Sequence, residues 1–220
     1  MSKRLIIFGN GQMAELACAR FRRDARYEVV GFTVDRSHAL DTRFCELPLV
    51  PFDEVERHFP AGSVHMFIGI GPVQANRIRA ERFLQARQVG YRFASYVSEQ
   101  AIVDAEVVIG ENCSIGESAI VAPFTRIGDN VRIGSASVIG HHCLVGDHCF
   151  IGVGSIVGGS VSIGPRTFVG INATVRDRLT LGEGTVIGAG ATIVRDTAPG
   201  AVFVAPEAVA VPISAERARL

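Results

Sequence analysis

Residues 103–114 read Val103-Asp104-Ala105-Glu106-Val107-Val108 and then Ile109-Gly110-Glu111-Asn112-Cys113-Ser114, which are two copies of one six-residue pattern. The pattern repeats without a break to Ala198, and each of the hexads opens with Val, Ile or Leu. Self-similarity at a short fixed period is the signature of a solenoid in which each repeat stacks on its neighbours. These residues therefore predict a solenoid domain built from six-residue repeats.

The positions within the hexad predict its geometry. The first residue is a large aliphatic and the fifth is small or β-branched, so both are expected to face a narrow interior. The fourth residue is often of a type that tolerates positive φ, as at Asn112, Asn130, His142 and His148. A hexad is then a short strand plus a corner, three corners close a triangle, and residues eighteen apart lie one above the other at the spacing of neighbouring strands.

Residues 1–97 show a different pattern, in which strands and helices alternate. A strand ending at Phe8 is followed by Gly9-Asn10-Gly11-Gln12-Met13-Ala14 and a helix, and a second strand over residues 27–34 ends at Asp35. A third strand over 64–70 precedes a basic helix over 73–88, whose Asn76, Arg77, Arg79 and Arg82 are expected on a solvated face. This order predicts a short α/β domain of Rossmann type, with ligands at the carboxyl ends of its parallel strands.

The loop after the first strand is the candidate nucleotide site. Glycines between a strand and a helix bring backbone N–H groups and the positive end of the helix dipole to a phosphate. Gly9, Asn10, Gly11 and Gln12 are therefore expected to bind the nucleotide, and Asp35 to accept a hydrogen bond from ribose or base. The predicted domains are residues 1–97, the repeat domain 98–207 and a tail 208–220.

Bulk composition narrows the function classes. The chain has 220 residues, with 22 basic side chains balanced by 22 acidic ones, which argues against a nucleic acid or a membrane surface as partner. The apolar start is too short for a secretory signal, and no stretch is long enough to span a membrane. Five cysteines without a secretion signal indicate reduced thiols. These features predict a cytoplasmic protein.

The hexads resemble those of the hexapeptide-repeat acyltransferases, whose prism is a left-handed parallel β-helix. A Gly-rich βαβ domain joined to an uninterrupted prism is more specifically similar to the sialic acid O-acetyltransferase and bacillosamine-pathway N-acetyltransferase family. The resemblance implies an acetyl-CoA-dependent N-acetyltransferase acting on a nucleotide-linked amino sugar for surface glycan biosynthesis. Sugar or sialic acid O-acetylation is the alternative. The resemblance also implies a homotrimer, because clefts for CoA lie between neighbouring chains in this family. Valine and isoleucine at outward positions of this prism agree with that expectation.

The resemblance implies particular site residues as well. The family's catalytic His matches His141, and imidazole is suited to accept a proton near neutral pH. Gly159, eighteen residues later, is expected directly above it, where its backbone N–H would stabilise an oxyanion. The family often has a carboxylate after this His, whereas this chain has His142, so the group that orients His141 is not assigned. In the last coils Gly170, Gly188 and Arg195 are the expected CoA-binding residues.

Other readings of the repeat domain are less well supported. The string His141, His142, Cys143, His148 and Cys149 resembles a zinc cluster, but the hexad places the two cysteines inside and the histidines at corners. No metal is therefore expected. A zinc-dependent β-helix hydratase would need a different histidine spacing. An ice-binding prism would need a ladder of threonines, and Thr125, Thr167 and Thr185 are too scattered.

Overall fold

The computed structural model describes residues 2–209 and contains an α/β domain followed by a three-faced prism. The predicted tail lies outside the described residues except for residues 208 and 209. The α/β domain has six strands, β1 (Lys3–Phe8), β2 (Tyr27–Val34), β3 (Arg43–Phe44), β4 (Leu47–Pro51), β5 (His65–Ile68) and β6 (Arg92–Phe93). Its helices are α1 (Gln12–Phe21), α2 (Val55–His58) and α3 (Arg77–Val89), with 3-10 turns at Arg36–His38 and Phe52–Glu54.

The sheet of this domain runs in the order β3-β4-β2-β1-β5-β6, with all pairs parallel except β3 with β4. Alternate residues of β1 point to opposite faces. Leu5 and Ile7 pack in one buried cluster with α1, while Ile6 and Phe8 pack in another with Phe83 of α3. Because both faces are covered by helices, β1 is apolar throughout its buried part rather than alternating.

The prism consists of two-residue strands stacked in three parallel sheets, one for each face. Face 1 contains β7 (Tyr96–Val97), β10 (Ser114–Ile115), β13 (Arg132–Ile133), β16 (Phe150–Ile151), β19 (Phe168–Val169), β22 (Val186–Ile187) and β24 (Val202–Phe203). Face 2 contains β8 (Ile102–Val103), β11 (Ile120–Val121), β14 (Val138–Ile139), β17 (Ile156–Val157), β20 (Thr174–Val175) and β23 (Thr192–Ile193). Face 3 contains β9 (Val108–Ile109), β12 (Arg126–Ile127), β15 (Leu144–Val145), β18 (Ser162–Ile163) and β21 (Thr180–Leu181).

The hexad geometry predicted from the sequence is confirmed over most of the repeat. The second residue of each strand faces the core, as do the small residues before each strand, such as Cys113 and Ala119. Positive φ recurs every six residues at the fourth hexad position, from Asn112 to Gly190. The second position is glycine for a packing reason: a Cβ on Gly140 would lie 2.6 Å from the backbone nitrogen of Gly159 in the next coil.

The last coil departs from the predicted frame. Strand β24 pairs with β22 so that Val202 lies opposite Val186, sixteen residues earlier instead of eighteen. Thr197 likewise bridges to Leu181, and the Asp196 side chain accepts a hydrogen bond from the backbone N–H of Thr180. The prediction that the hexads run unbroken to Ala198 is therefore wrong for the final hexad, in which this bond shortens the turn.

Two predicted elements of the α/β domain needed correction. Helix α3 begins at Arg77 rather than residue 73, because Gln74, Ala75 and Asn76 have left-handed backbone conformations. The third predicted strand is shorter than expected, since β5 covers only His65–Ile68. Strands β3 and β4 and helix α2 were not predicted. The first strand of the prism, Tyr96–Val97, precedes the boundary placed at residue 98.

Candidate active site

The three edges of the prism carry different residues, and the edge between faces 2 and 3 carries the candidate catalytic ones. We call this edge the catalytic edge. Its third hexad position holds His141, Gly159, Asp177 and Arg195 in successive coils. The stacking is direct, because the backbone N–H of Ser160 donates to the carbonyl oxygen of His141 at 2.8 Å. The prediction that Gly159 lies one coil above His141 is confirmed.

The imidazole of His141 is exposed and lies against Gly159. A Cβ built on Gly159 would stand 2.8 Å from both Cε1 and Nε2 of His141, closer than side-chain carbons approach one another. Only glycine therefore leaves the ring in place. Within the described residues no acceptor is found for the backbone N–H of Gly159. An imidazole nitrogen and an unpaired N–H donor thus lie side by side, as acyl transfer requires.

The other ring nitrogen of His141 faces the next residue. Its Nδ1 lies 3.1 Å from Nδ1 of His142, and the two rings are nearly perpendicular. His142 has φ of 57° at the fourth hexad position, as predicted, and its ring packs on Phe124 of the coil below.

His148 occupies a different environment from these two histidines. It also has positive φ at the fourth position, but it lies on the edge between faces 3 and 1. Its Nδ1 is 2.9 Å from the side-chain amide of Asn130, and its ring meets the edge of Phe83 in α3. Burial and then the nearby Arg79 cation lower the pKa of His148. His148 therefore belongs to the contact between the two domains.

The loop between β1 and α1 exposes backbone donors. Gly11 precedes α1 without a side-chain cap, and a Cβ at Gly11 would have no neighbour within 4 Å. No acceptor within the described residues is recorded for the N–H groups of Gly11, Gln12 and Met13. Gly9 has φ of 128°, and a Cβ there would lie 3.0 Å from the carbonyl oxygen of Gly69. Open space before unpaired N–H groups at a helix start is suited to a phosphate.

Two polar side chains of this predicted site already have partners in the chain. The amide of Asn10 donates to the carbonyl oxygen of His38 at 3.0 Å, which holds the turn after β2 beside the glycine loop. The carboxylate of Asp35 forms an ion pair with Arg82 of α3 at 2.9 Å and remains partly exposed. Arg82, which was expected to be only solvated, therefore fixes the position of Asp35.

The three predicted CoA-binding residues lie on two different edges. Gly170 and Gly188 are on the edge between faces 1 and 2, whereas Arg195 is exposed on the catalytic edge. A Cβ on Gly170 would lie 2.6 Å from the nitrogen of Ala189, and one on Gly188 would lie 3.0 Å from the carbonyl oxygen of Phe203. Gly170 is thus required by coil stacking, Gly188 is tightly packed, and one chain does not bring them to Arg195.

The thiols near His141 are structural. Cys143 and Cys149 are fully buried in the prism core, as the hexad predicted, and their sulfurs approach the carbonyl oxygens of Gly158 and Gly164. Burial raises the pKa of Cys149 to about 12, so it stays a thiol at neutral pH. All five cysteines are free. Among residues 2–209 there is no group of three or more His, Cys, Asp or Glu side chains arranged to hold a metal ion.

Two buried arginines join the domains, a role that no sequence pattern indicated. Arg79, expected on a solvated face, is completely buried and donates to the carbonyl oxygens of His148 and Cys149 and to Oδ1 of Asn130. Burial lowers its pKa to about 10. Arg132 donates to the carbonyl oxygens of Asn112 and Ile68. Alternation of charged residues along a helix cannot reveal which of them a second domain will cover.

These contacts fix where the glycine loop lies. The last residue of β5, Ile68, is bound by Asn112 and Arg132, and α1 reaches Ser114 and Glu117 through Arg20. The α/β domain therefore lies along face 1 and its edge with face 3. Asn76, before α3, binds Thr167 in a later coil, and Arg87, near the end of α3, binds Asp129 in an earlier one, so the carboxyl end of the sheet points along the prism axis toward the later coils. In a triangular cross-section the catalytic edge is opposite face 1. His141 thus lies on the edge that does not border face 1, whereas helix α1, which follows the glycine loop, contacts Ser114 of face 1.

The comparisons with known proteins agree with this architecture. Residues 124–159 and 160–195 match the family model described as bacterial transferase hexapeptide (six repeats). No protein curated for function matches the chain in sequence. Together with the structural likenesses below, the repeat match confirms the predicted family. Residues 124–195 thus carry hexapeptide repeats of the bacterial transferase type, and the chain is an acyltransferase.

Solved structures resemble the chain over nearly its whole length. One is PerB from Caulobacter crescentus in complex with CoA and GDP-perosamine, with 26% identity, a TM-score of 0.79, and 90% of this chain and 92% of that chain covered. A mutant of perosamine N-acetyltransferase from the same organism gives 25% identity, a TM-score of 0.80, and 90% and 91% coverage. The acetyltransferase domain of PglB from Neisseria gonorrhoeae, with acetyl coenzyme A, shares the fold at 21% identity, with a TM-score of 0.82 and 92% and 96% coverage.

No helix among the described residues is long and apolar enough to cross a membrane.

Proposed function

We propose that this protein transfers the acetyl group of acetyl-CoA to the amino group of a nucleotide-linked amino sugar, in the cytoplasm and for a surface glycan. The observation that carries the proposal is the imidazole of His141 lying against Gly159, whose N–H has no acceptor among residues 2–209. The likeness to a perosamine N-acetyltransferase that binds CoA and GDP-perosamine supports this choice of donor and acceptor. As in that family, we take the prism to be left-handed.

In the proposed reaction His141 acts through Nε2. That nitrogen takes the proton from the acceptor's amino group as the amine forms a bond to the acetyl carbonyl carbon. The N–H of Gly159 donates to the carbonyl oxygen as negative charge develops there. The proton on His141 then goes to the departing thiolate of CoA, which restores the neutral imidazole. Acetyl-CoA supplies the activated acetyl group, and we place its phosphates near Arg195.

The α/β domain holds the acceptor in this proposal. The N–H groups at the start of α1, within the loop Gly9–Gln12, would bind the nucleotide's phosphates, and Asp35 would accept from its ribose or base. Asp35 is suited to this role because Arg82 holds its carboxylate in place while leaving part of it exposed.

The proposed enzyme is a homotrimer, because one chain does not bring the parts of its site together. Face 2 presents an apolar ladder in which Ile102 and Ile120 in consecutive coils and Ile156 two coils further on are exposed, and patches of this kind mark interfaces. The two edges that flank face 2 carry Gly170 and Gly188 on one side and His141 and Arg195 on the other. A cyclic contact through face 2 would place these edges of neighbouring chains together, and would bring the glycine loop of one chain toward His141 of the next.

The test is direct assay of the purified protein with acetyl-CoA and a panel of GDP-, UDP- and dTDP-linked amino sugars. We expect CoA release that depends on one of these acceptors, with one acetyl group added to the sugar nitrogen by mass spectrometry. The matching sugars with a hydroxyl in place of the amine serve as controls. Acetylation of the hydroxyl sugars but not of the amines would contradict N-transfer.

A further inference from the structure

The Nδ1 nitrogen of His141 has one side-chain neighbour within hydrogen-bond distance among the described residues, and that neighbour is Nδ1 of His142. The coil above offers Gly159 and Ser160 at this edge, and the coil below offers Pro123 and Phe124. Neither coil carries a carboxylate or another titratable group there. The orientation of the His141 ring therefore depends on His142.

We propose that His142 is a positioning residue, which accepts a hydrogen bond from Nδ1–H of His141 and so keeps the Nε2 nitrogen of His141 unprotonated. This inference rests on the proposed function. Neutral imidazole carries one proton, and that proton can be on either nitrogen. A base that acts through Nε2 must carry its proton on Nδ1, and an acceptor facing Nδ1 selects this tautomer.

The hydrogen bond also defines the state of His142. Because its Nδ1 accepts, its own proton must be on Nε2, and the pair has a defined arrangement of two protons. The reverse arrangement, with His142 donating to His141, would place a proton on Nε2 of His141 and leave the base unable to accept another. When His141 takes up the acceptor's proton, its Nδ1–H becomes a charge-assisted donor to His142, which strengthens the bond.

His142 is well placed to hold this position. Its backbone has φ of 57° at the corner, and its N–H donates to the carbonyl oxygen of Pro123 at 3.1 Å. Its ring packs on Phe124, with ring centroids 4.8 Å apart. The backbone bond fixes where the side chain starts, and the aromatic contact restricts how the ring turns. His142 thus presents Nδ1 to Nδ1 of His141.

Two substitutions separate this role from a purely structural one. In His142→Asn the side-chain Oδ1 takes the place of Nδ1 as an acceptor, and asparagine occupies the same corner position at Asn112, Asn130 and Asn172. In His142→Phe the ring remains but the acceptor is lost, and Phe124 shows that phenylalanine adopts this corner with φ of 64°. Both variants are thus compatible with the fold.

We expect His142→Phe to lower kcat by about 10- to 100-fold, the range found when a hydrogen-bond partner that orients a metal-ligating imidazole is removed. KM for both substrates and the melting temperature should stay near those of the wild type. His142→Asn should recover most of the lost kcat. If His142→Phe keeps full activity, His142 is only a corner residue. If His142→Asn loses as much activity as His141→Ala, His142 takes part in the chemistry itself. Either of these two results would overturn the proposal.

A second measurement does not depend on activity. In the protein labelled with ¹⁵N-histidine, long-range ¹H–¹⁵N spectra distinguish the two tautomers, and the His141 signals are identified by their absence in His141→Ala. We expect His141 to carry its proton on Nδ1 in the wild type and in His142→Asn, and a mixture of tautomers in His142→Phe. A wild-type His141 with its proton on Nε2 would contradict the positioning role even if the enzyme is active. Absence of acetyl transfer by the wild type, with the expected tautomer, would contradict only the proposed function.

Discussion

His141 is the residue on which the proposed chemistry depends most. We expect His141→Ala to lower kcat by about 10² to 10⁴, the usual effect of removing a general base. KM and the melting temperature should change little, because the side chain is an exposed corner residue outside the core. His142→Asn, at the adjacent position, should be far milder. Steady-state kinetics of the two variants with one acceptor checks this.

The pH profile provides a control for His141. A neutral imidazole base predicts that activity falls as pH decreases, because the protonated ring cannot accept the acceptor's proton. His141→Ala should abolish this acidic limb. An amine acceptor can titrate as well, so the same acceptor must be used throughout. Full activity in His141→Ala together with its loss in His142→Asn would move the base by one residue.

Gly159 lies against the imidazole of His141 and has no side chain to displace it. A methyl group at this position would lie 2.8 Å from Nε2 of His141, so Gly159→Ala must displace the imidazole or the acetyl group that binds beside it. We expect kcat to fall by at least about tenfold, as is usual when donors or bases at a reaction centre are misplaced. The control is Gly62→Ala, where a Cβ meets nothing within 4 Å. Equal activity in the two variants would show that the reacting groups do not meet at Gly159.

In the loop before helix α1, a substitution at Gly11 tests whether the nucleotide sugar and CoA bind at separate sites. Gly11 has φ of −102° and ψ of −174°, an extended conformation that any residue adopts, and a Cβ there faces open space. Gly11→Val should therefore fold normally but block the approach of phosphates to the helix start. We expect a raised KM for the nucleotide sugar with unchanged CoA binding, measured by kinetics and calorimetry. Gly11→Ala is the smaller control, and equal weakening of CoA and sugar binding would contradict separate sites.

Helix α3 contributes to stability through Arg79. Replacing Arg79 with Met leaves the carbonyl oxygens of His148 and Asn130 without their donor, and each such loss costs about 1–3 kcal/mol. We expect the free energy of unfolding to fall by about 3 kcal/mol, measured by urea denaturation. Arg77→Met is the matched control, since Arg77 is in the same helix but its side chain is 58% exposed. Similar stability of both variants would mean that Arg79 does not join the domains energetically.

We expect the chains to assemble into a trimer through face 2 of the prism. Ile156 lies on face 2 and is 49% exposed, whereas Val108 lies on face 3 and is 53% exposed. We expect Ile156→Glu to yield monomers in sedimentation experiments and to abolish acetyl transfer, because a charge at the centre of a buried apolar interface is strongly disfavoured. Val108→Glu should remain trimeric and active. An active monomer, from the wild type or from Ile156→Glu, would contradict a site shared between chains.

The sequence by itself determined the prism. The hexads identify which residues point inward, which lie at corners, and which residue lies one coil above or below each of them, because contacts in a solenoid are local and periodic. Hence the position of Gly159 above His141 and the burial of Cys143 and Cys149 were predictable from spacing alone. The strand, glycine loop and helix at the start of the chain were also predictable, since the turn chemistry around Gly9 and Gly11 is local.

Only the tertiary structure decided how the two domains meet and what that does to the site. Arg79 and Asn76 looked like solvated helix residues, and their burial depends on a prism surface 50 to 90 residues away in sequence. The same docking places helix α1 against face 1, the face that does not border the edge of His141. The contact of His142 with His141 was also not predictable from the repeat. The hexads determine backbone positions at the corner, but not the rotamers of the two imidazole rings.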